Sequence, residues 1–478
     1  MRVAFVTPEC FPFATTGGLG EVAGGLSKAI AQRGHEIRVF FPLYGCIQPQ
    51  SDWYKTNNIP VLFQGRVRWC SVWTHTKDGV TYQGIEYQDY FGGPQIYTGS
   101  DADGERFAFF DVAVLSACAY FRWFPDVLHA HDWTTGLIPV LLNTVFRGTP
   151  LYRVATVFTI HNLQYQGLFS PNILRYAGIP YAEFHANSLE ALGYVNFLKG
   201  ALYHAMKLTT VSPHYAQEVQ TPTFGCGLDS VLRFQSAHFI GVLNGIDETV
   251  WNPETDPFLA AYYTAYHTEP KRLCKRVLQQ QSHLPEASVP LLGIVGRLCE
   301  QKGLDVLIAI LPHLFAHIPM QMVVLGRGEP ILEAQLKALE AQFPEKLRVY
   351  LRYEETLAHQ IYAGCDLCVM PSRFEPCGLN QMYAMRYGAL PIVRATGGLV
   401  DTVENCEEST GKGCGFVFQD LTNDALYRTI EWACSIYTHR PSCFESLQRN
   451  ALQKDFCWKR SASLYESIYR WAIERRCP

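Results

Sequence analysis

Two cations, Arg297 and Lys302, stand in the stretch Gly296-Arg-Leu-Cys-Glu-Gln-Lys-Gly303, after an apolar run and at the start of a helical pattern. An arginine fork and a lysine point charge so placed suit the oxygens of a diphosphate. A carboxylate follows in Pro371-Ser-Arg-Phe-Glu-Pro-Cys-Gly-Leu379. Glu375 there lies between the apolar run 366–370 and a helical pattern from Gly378, with Pro376 and Gly378 to shape a tight turn. The loop Thr396-Gly397-Gly398-Leu399 comes close behind. In the first half, His161 and Asn162 end the run 153–160, and His129-Ala-His131-Asp132 ends another that starts at Asp126. Strand alternation puts His129 and His131 on one face. With Asp132 they could imitate a metal site. No third imidazole lies at fitting spacing, so hydrogen bonding to a substrate is the preferred reading.

These residues need a scaffold that brings strand ends together. The chain opens as strand, glycine loop and helix: RVAFVTPE, then Thr15-Thr-Gly17-Gly18-Leu-Gly20, then a helical pattern over 21–32 and a new strand at 37–41. The loop does not have the G-x-G-x-x-G spacing of a dinucleotide site. Further strands are expected at 126–132, 153–160, 207–211 and 239–243. Residues 45–105 read as hairpins or irregular excursions. A polar, aromatic-spotted stretch, 247–288, reads as the crossing between domains. A second series of strands then runs through 289–297, 320–325, 348–351, 366–370, 390–393 and 415–418. Strand–helix alternation twice over predicts an α/β protein with two doubly wound parallel-sheet domains. We place an N-terminal domain at 1–245, a second domain at 246–456, and an amphipathic helix at 457–478 returning to the first. Ligands of such sheets bind at the carboxyl ends of the strands. The two Gly-Gly loops, 16–22 and 396–402, each open a helix, one per domain. If the sheets face a common cleft, two amide-lined helix N-termini would meet one ligand.

A chain of 478 residues exceeds one ordinary core. Its formal net charge of −4, without a long Lys/Arg run, argues against nucleic acid as a partner. Sixteen scattered cysteines suggest free thiols in a reducing compartment. The single Cys365-Asp-Leu-Cys368 pair reads as core packing. No apolar run has membrane-spanning length, and no leader pattern precedes the first strand. The expected address is the cytoplasm, with no membrane partner.

The combined motifs resemble the bacterial glycogen synthase and plant starch synthase family, retaining glycosyltransferases of GT-B architecture. They are TGGLGEV at 16–22, HAHDW at 129–133, TIHNLQYQG at 159–167, VLNGID at 242–247, GRLCEQKGLD at 296–305, PSRFEPCGL at 371–379 and RATGGLVDTV at 394–403. The resemblance implies transfer of glucose from ADP-glucose to the 4-OH at the non-reducing end of an α-1,4-glucan. The second domain would hold the nucleotide and the first the acceptor. Arg297 and Lys302 would neutralise the departing diphosphate, and His161 would touch the transferring glucose. Glu375 would bind its hydroxyls, with amides around Cys377, Gly378 and Leu379. Thr15, Gly17, Gly18, Asp132, Asn162, Asn244, Thr396, Gly397 and Gly398 would complete the pocket, and Tyr353 would lie near the base. No metal, pyridoxal phosphate or other cofactor is implied. Two residues depart from the family's first loop: Thr15 replaces a lysine, and Glu21 replaces an aspartate. A second acid found in related families is Tyr383 here. The missing lysine leaves UDP-glucose open as a second donor. A glucan phosphorylase, which needs a Schiff-base lysine for pyridoxal phosphate, and a non-catalytic glucan-binding relative are the rival readings.

Overall fold

Short runs of Val, Ile, Leu and Phe bounded by polar residues become parallel strands buried along nearly their whole length, as sheets covered on both faces require, while two long antiparallel strands at one edge alternate buried and exposed residues. In the computed structural model, which describes residues 1–476, they form three sheets. The first nine-stranded sheet is built from β1 (Arg2–Val6), β2 (Glu36–Pro42), β3 (Tyr54–Phe63), β4 (Arg66–Lys77), β5 (Val80–Glu86), β6 (Val127–His131), β7 (Ala155–Ile160) and two later strands. Between β7 and those two, β8 (Leu168–Phe169), β9 (Glu190–Ala191) and β10 (Tyr194–Asn196) make a small separate sheet. The later strands are β11 (Lys207–Thr210) and β12 (Phe239–Gly241). The order is β12-β11-β7-β6-β1-β2-β5-β4-β3. Strands β12 through β5 pair in parallel, whereas β3, β4 and β5 form an antiparallel meander. The stretch expected as hairpins thus extends the main sheet.

The chain divides into two units, residues 1–245 with the C-terminal helix, and residues 246–457. That helix, Trp458–Arg476, packs in the first unit on β7 and on the helix Gly18–Ala31. A side chain on Gly25 would collide with the Trp458 indole, so the two helices touch closely there. Tyr469 Oη lies 2.9 Å from His129 Nδ1, and Ser461 Oγ donates to Leu243 O at 2.5 Å. Residues 477–478 of the expected helix lie outside the described residues. The helical pattern after His131 divides: Trp133–Thr135 is a single 3₁₀ turn and Leu137–Asn143 a short helix. Gly136 separates them where a Cβ would strike Phe197 O.

The second unit is one parallel sheet of β13 (Leu291–Val295), β14 (Gln321–Leu325), β15 (Leu347–Tyr350), β16 (Leu367–Met370), β17 (Leu390–Arg394) and β18 (Phe416–Phe418). Its order is β15-β14-β13-β16-β17-β18. The stretch read as an irregular crossing contains a helix, Lys271–Gln281. Apolar periodicity misses it because its inward face carries Lys271, Lys275 and Gln279, all buried. Long lysine stems can bury while their heads find acceptors. Lys271 Nζ caps a helix end through Tyr362 O and Ala363 O, at 3.2 and 2.6 Å. Lys275 Nζ reaches Asp366 and Val289 O, each at 2.6 Å. Cys365 and Cys368 are buried, and burial pushes the Cys365 thiol up to about 12. Both act as small core residues. Among the described residues no helix is long and apolar enough to cross a membrane.

Candidate active site

In the second unit, β13, β16 and β17 are neighbours, and the loops at their carboxyl ends are pressed together backbone to backbone. Gly303, at φ +68°, lies so near Pro371 O that no Cβ fits. Gly397, at φ +47°, is held equally close to Glu375 O. Gly398 N donates to that same oxygen at 3.0 Å. Gln381 Nε2 donates to Cys377 O and Gly378 O, at 3.0 and 2.8 Å, and so fixes the turn before its own helix. The interlock places Lys302 Nζ 2.6 Å from Glu375 Oε2, which also accepts the Ser372 hydroxyl at 3.0 Å. Glu375 is only 4% exposed. Arg373 braces the loop from outside through a two-pronged contact with Asp305, 2.7 Å on each prong. A planar guanidinium and a carboxylate match in that geometry.

Arg297 is exposed, with Nη2 3.3 Å from Gln301 Oε1. Thr396 and Cys377 are buried, and Leu379 is half-buried. Tyr353 is 84% exposed and follows the edge strand β15, two strands out from β13. The helices after the two loops are short, Asn380–Arg386 with 7 residues and Gly398–Thr402 with 5. An anion against them would meet individual N–H groups rather than a long macrodipole.

The first unit gathers its own set at the carboxyl ends of β6 and β7. Asp132, at φ +58°, turns its carboxylate across to the next strand. Oδ1 accepts from His161 N at 2.6 Å and Asn162 N at 3.4 Å, so Asp132 clips the His161-Asn162 turn in place. Burial pushes its pKa up to about 7. His161 Nε2 lies 3.0 Å from His131 Nδ1. One proton must sit between the two nitrogens, so the rings fix each other's tautomer. Burial lowers the His161 pKa to about 3, which keeps the ring neutral near pH 7. His129 is engaged on both sides, by Tyr469 Oη and by Thr159 Oγ1 at 2.6 Å. Among the described residues the one group of His, Cys, Asp and Glu close enough to share an ion is Glu248, Asp455 and Cys457. None of the HAHD residues belongs to it. Asn244 is buried, and its Oδ1 has no hydrogen-bond partner among the described residues, as befits an acceptor kept for a ligand.

Glu9 escaped the sequence reading. Its buried carboxylate organises the first glycine loop. Oε2 accepts from Thr16 N at 2.6 Å and Gly17 N at 3.3 Å, and Oε1 from Thr16 Oγ1 at 2.9 Å and Tyr97 Oη at 2.7 Å. Thr15 and Gly18 are exposed, and Thr15 Oγ1 donates to Gly17 O at 3.0 Å. The one available signal was an acid at the end of β1, seven residues before the loop it serves.

Two Rossmann-like units with polar loops at their strand ends, and a buried acid paired with a lysine, fit a GT-B glycosyltransferase. Comparison with known proteins gives the same class. Residues 2–234 match the family model described as starch synthase catalytic domain, and residues 276–446 that for glycosyl transferases group 1. Glycogen synthase 1 of Geobacter sulfurreducens is 42% identical over 100% of this chain and 97% of its own. Glycogen synthase of Geobacillus stearothermophilus is 44% identical over 99% and 98%. The catalytic domain of starch synthase IV from Arabidopsis thaliana, solved bound to ADP and acarbose, superposes with a TM-score of 0.93 at 35% identity and covers 99% of both chains. Sucrose-phosphate synthase from Thermosynechococcus elongatus, at 18% identity and TM-score 0.64, shares the fold. The chain belongs to the glycogen synthase and starch synthase family.

Proposed function

We propose that this enzyme transfers glucose from ADP-glucose to the non-reducing end of an α-1,4-glucan, with retention and without metal or pyridoxal phosphate. The observation that carries the reading is the Lys302–Glu375 pair, an ion pair of 2.6 Å at the carboxyl ends of adjacent parallel strands. As the bond to the sugar breaks, negative charge grows on the diphosphate. Lys302 and Arg297 stabilise it electrostatically. Glu375, held by Lys302 and Ser372, keeps acceptor capacity for glucosyl hydroxyls, beside the amides of residues 377–379. His161, neutral and fixed by His131 and the Asp132 clip, contacts the transferring sugar. Asn162, Asn244 and the loops 15–18 and 396–398 complete the binding surfaces, with Tyr353 toward the base. ADP bound to the starch synthase IV relative supports the adenine donor. Every described cysteine is free, which suits a cytoplasmic address.

A second donor, UDP-glucose, is favoured by one feature. Thr15 stands where the family pattern has lysine, its hydroxyl proton is spent on Gly17 O, and the loop amides around it face the Glu9 carboxylate. The first loop then brings no cation of its own to the diphosphate. One missing contact to a charged group is worth about 1.5–3 kcal/mol, or roughly one to two decades in affinity. The test is incorporation of labelled glucose into glycogen from ADP-glucose and UDP-glucose, in wild type and Thr15→Lys. Glucan synthesis from ADP-glucose, improved by Thr15→Lys, is expected. No incorporation from either donor overturns the synthase reading. Strict use of ADP-glucose, with no gain in the variant, overturns the argument from Thr15.

A further inference from the structure

The first unit carries a second feature at the opposite end of its sheet. Lys207 begins β11, and His238 ends the 3₁₀ turn that leads into β12. The last turns of the C-terminal helix supply Trp471, Glu474 and Arg475 beside them. Together with Ala237 and Ile240 they line an open groove of about 550 Å³. The candidates His161 and Asp132 of the same unit follow the carboxyl ends of β7 and β6, so this groove is separate from them.

Its charge is one-sided. Lys207, His238 and Arg475 come from three separate chain segments and converge on one groove, where Glu474 is the single carboxylate among the described lining residues. Their mutual repulsion shows in their acidities. Burial, and after it Arg475, lowers the Lys207 pKa, while burial followed by Arg475 and Lys207 lowers that of His238. His238 Nδ1 is a buried atom without a hydrogen-bond partner among the described residues. The cations are held in position. Arg475 Nη1 donates to Met206 O at 2.7 Å, and Lys207 Nζ stands 5.8 Å from the centre of the Trp471 ring. The indole itself is 42% exposed, a flat apolar surface beside the cations.

We propose that this groove binds a phosphomonoester that carries a ring, its anionic group among Lys207, His238 and Arg475 and its ring on Trp471. Donors from three directions suit the three oxygens of a phosphate better than a planar carboxylate. The volume is that of a small-molecule site. A net charge of −4 leaves no extended basic field for a polyanion. A neutral glucan could lie on Trp471 but gives the charges of Lys207 and Arg475 nothing to pair with.

Calorimetric titration tests this with a graded series: inorganic phosphate, ribose 5-phosphate and adenosine 5′-monophosphate, with maltotriose as the neutral control. All titrations use the full chain in an Arg297→Ala/Lys302→Ala background, so that the nucleotide site does not contribute. Saturable binding of the phosphates is expected, with the dissociation constant at least tenfold higher after Lys207→Gln or His238→Gln. Trp471→Ala should weaken the two ring-bearing compounds and leave inorganic phosphate unchanged. The step from ribose 5-phosphate to the nucleotide tells whether sugar or base uses the indole. Absence of saturable phosphate binding overturns the proposal, as does binding insensitive to Lys207→Gln and His238→Gln, or maltotriose binding as tight as the phosphates. Wild-type glucan synthesis bears on the catalytic reading alone, so the two can fail separately.

Discussion

Lys302→Ala removes both the cation to which the proposed function gives the departing diphosphate and the partner of a buried acid, and the two losses can be separated. Glu375 is 4% exposed and would keep only the Ser372 hydroxyl at 3.0 Å. Breaking a fully buried ion pair costs about 3–5 kcal/mol, because the remaining charge lies uncompensated. The Lys302 side chain is 22% exposed, so water can enter the vacated space. That discounts the penalty to about 1–3 kcal/mol. For a unit of this size each kcal/mol lowers Tm by about 2–4 °C. A fall of about 2–12 °C is therefore expected.

The catalytic loss is a separate quantity. A donor aimed at developing charge contributes about 10²–10³ in kcat. Glu375→Gln in the Lys302→Ala background removes the stranded charge, so Tm should recover most of its fall. Turnover should not recover, because the cation for the diphosphate is still missing. Scanning calorimetry and steady-state kinetics with ADP-glucose, run on both single variants and the double, read the two effects independently. Near-normal turnover in folded Lys302→Ala, or turnover that returns with Tm in the double variant, would refute the assignment and leave the pair a structural one.

His161→Ala should lower kcat far more than it raises KM, because the proposed function sets its ring against the transferring sugar rather than the nucleotide; a purely KM effect would contradict that. Asp132 has its folded pKa raised from 3.8 to about 7, so its contribution to stability is fully present below 3.8 and is lost as pH rises through about 7. His161 has the opposite slope: lowered from 6.5 to about 3, it contributes stability above 6.5 that is lost as pH falls through about 3. Asp132→Asn, which keeps an acceptor for His161 N, should therefore gain Tm over wild type progressively from pH 4 to 8, and a constant difference across that range would count against the raised pKa. Activity should persist after chelator treatment; loss in EDTA, restored by a divalent ion, would return the HAHD residues to consideration as ligands.

The strands of both sheets were legible because parallel strands buried on two faces are written as unbroken apolar runs. The chemistry at their ends was legible because polar residues interrupt those runs abruptly, as at His161, Asp132 and Arg297. The helix Lys271–Gln281 was not, since its buried face is built from lysines and glutamine whose partners lie far along the chain. Asp366, which pairs with Lys275, is 91 positions away. Nothing local marks such a lysine as buried. The stretch 45–105 reads equally as hairpins or irregular excursions, and the parallel pairing of β5 with β2 that joins the meander to the main sheet is not set by any local turn.

At the site, the residue types were readable and their mutual contacts were not. Glu375 and Lys302 were assigned to different parts of the substrate, yet they meet at 2.6 Å across 73 residues of chain. His131 does share a face with His129, their ring centroids 4.1 Å apart, but its hydrogen bond is to His161, just beyond the next strand. Register explains this: β6 and β7 run parallel with His131 opposite Thr159, so the residue two positions on arrives beside it. Glu9 shows the same limit in the opposite sense. A carboxylate that near a glycine loop looks unsuited to a phosphate site, but buried beneath the loop it takes up the amides of Thr16 and Gly17 and fixes their direction. With those amides engaged and no lysine at position 15, the first loop offers no cation of its own. On the proposed function the donor's charge then falls to Arg297 and Lys302, and their removal should be correspondingly costly.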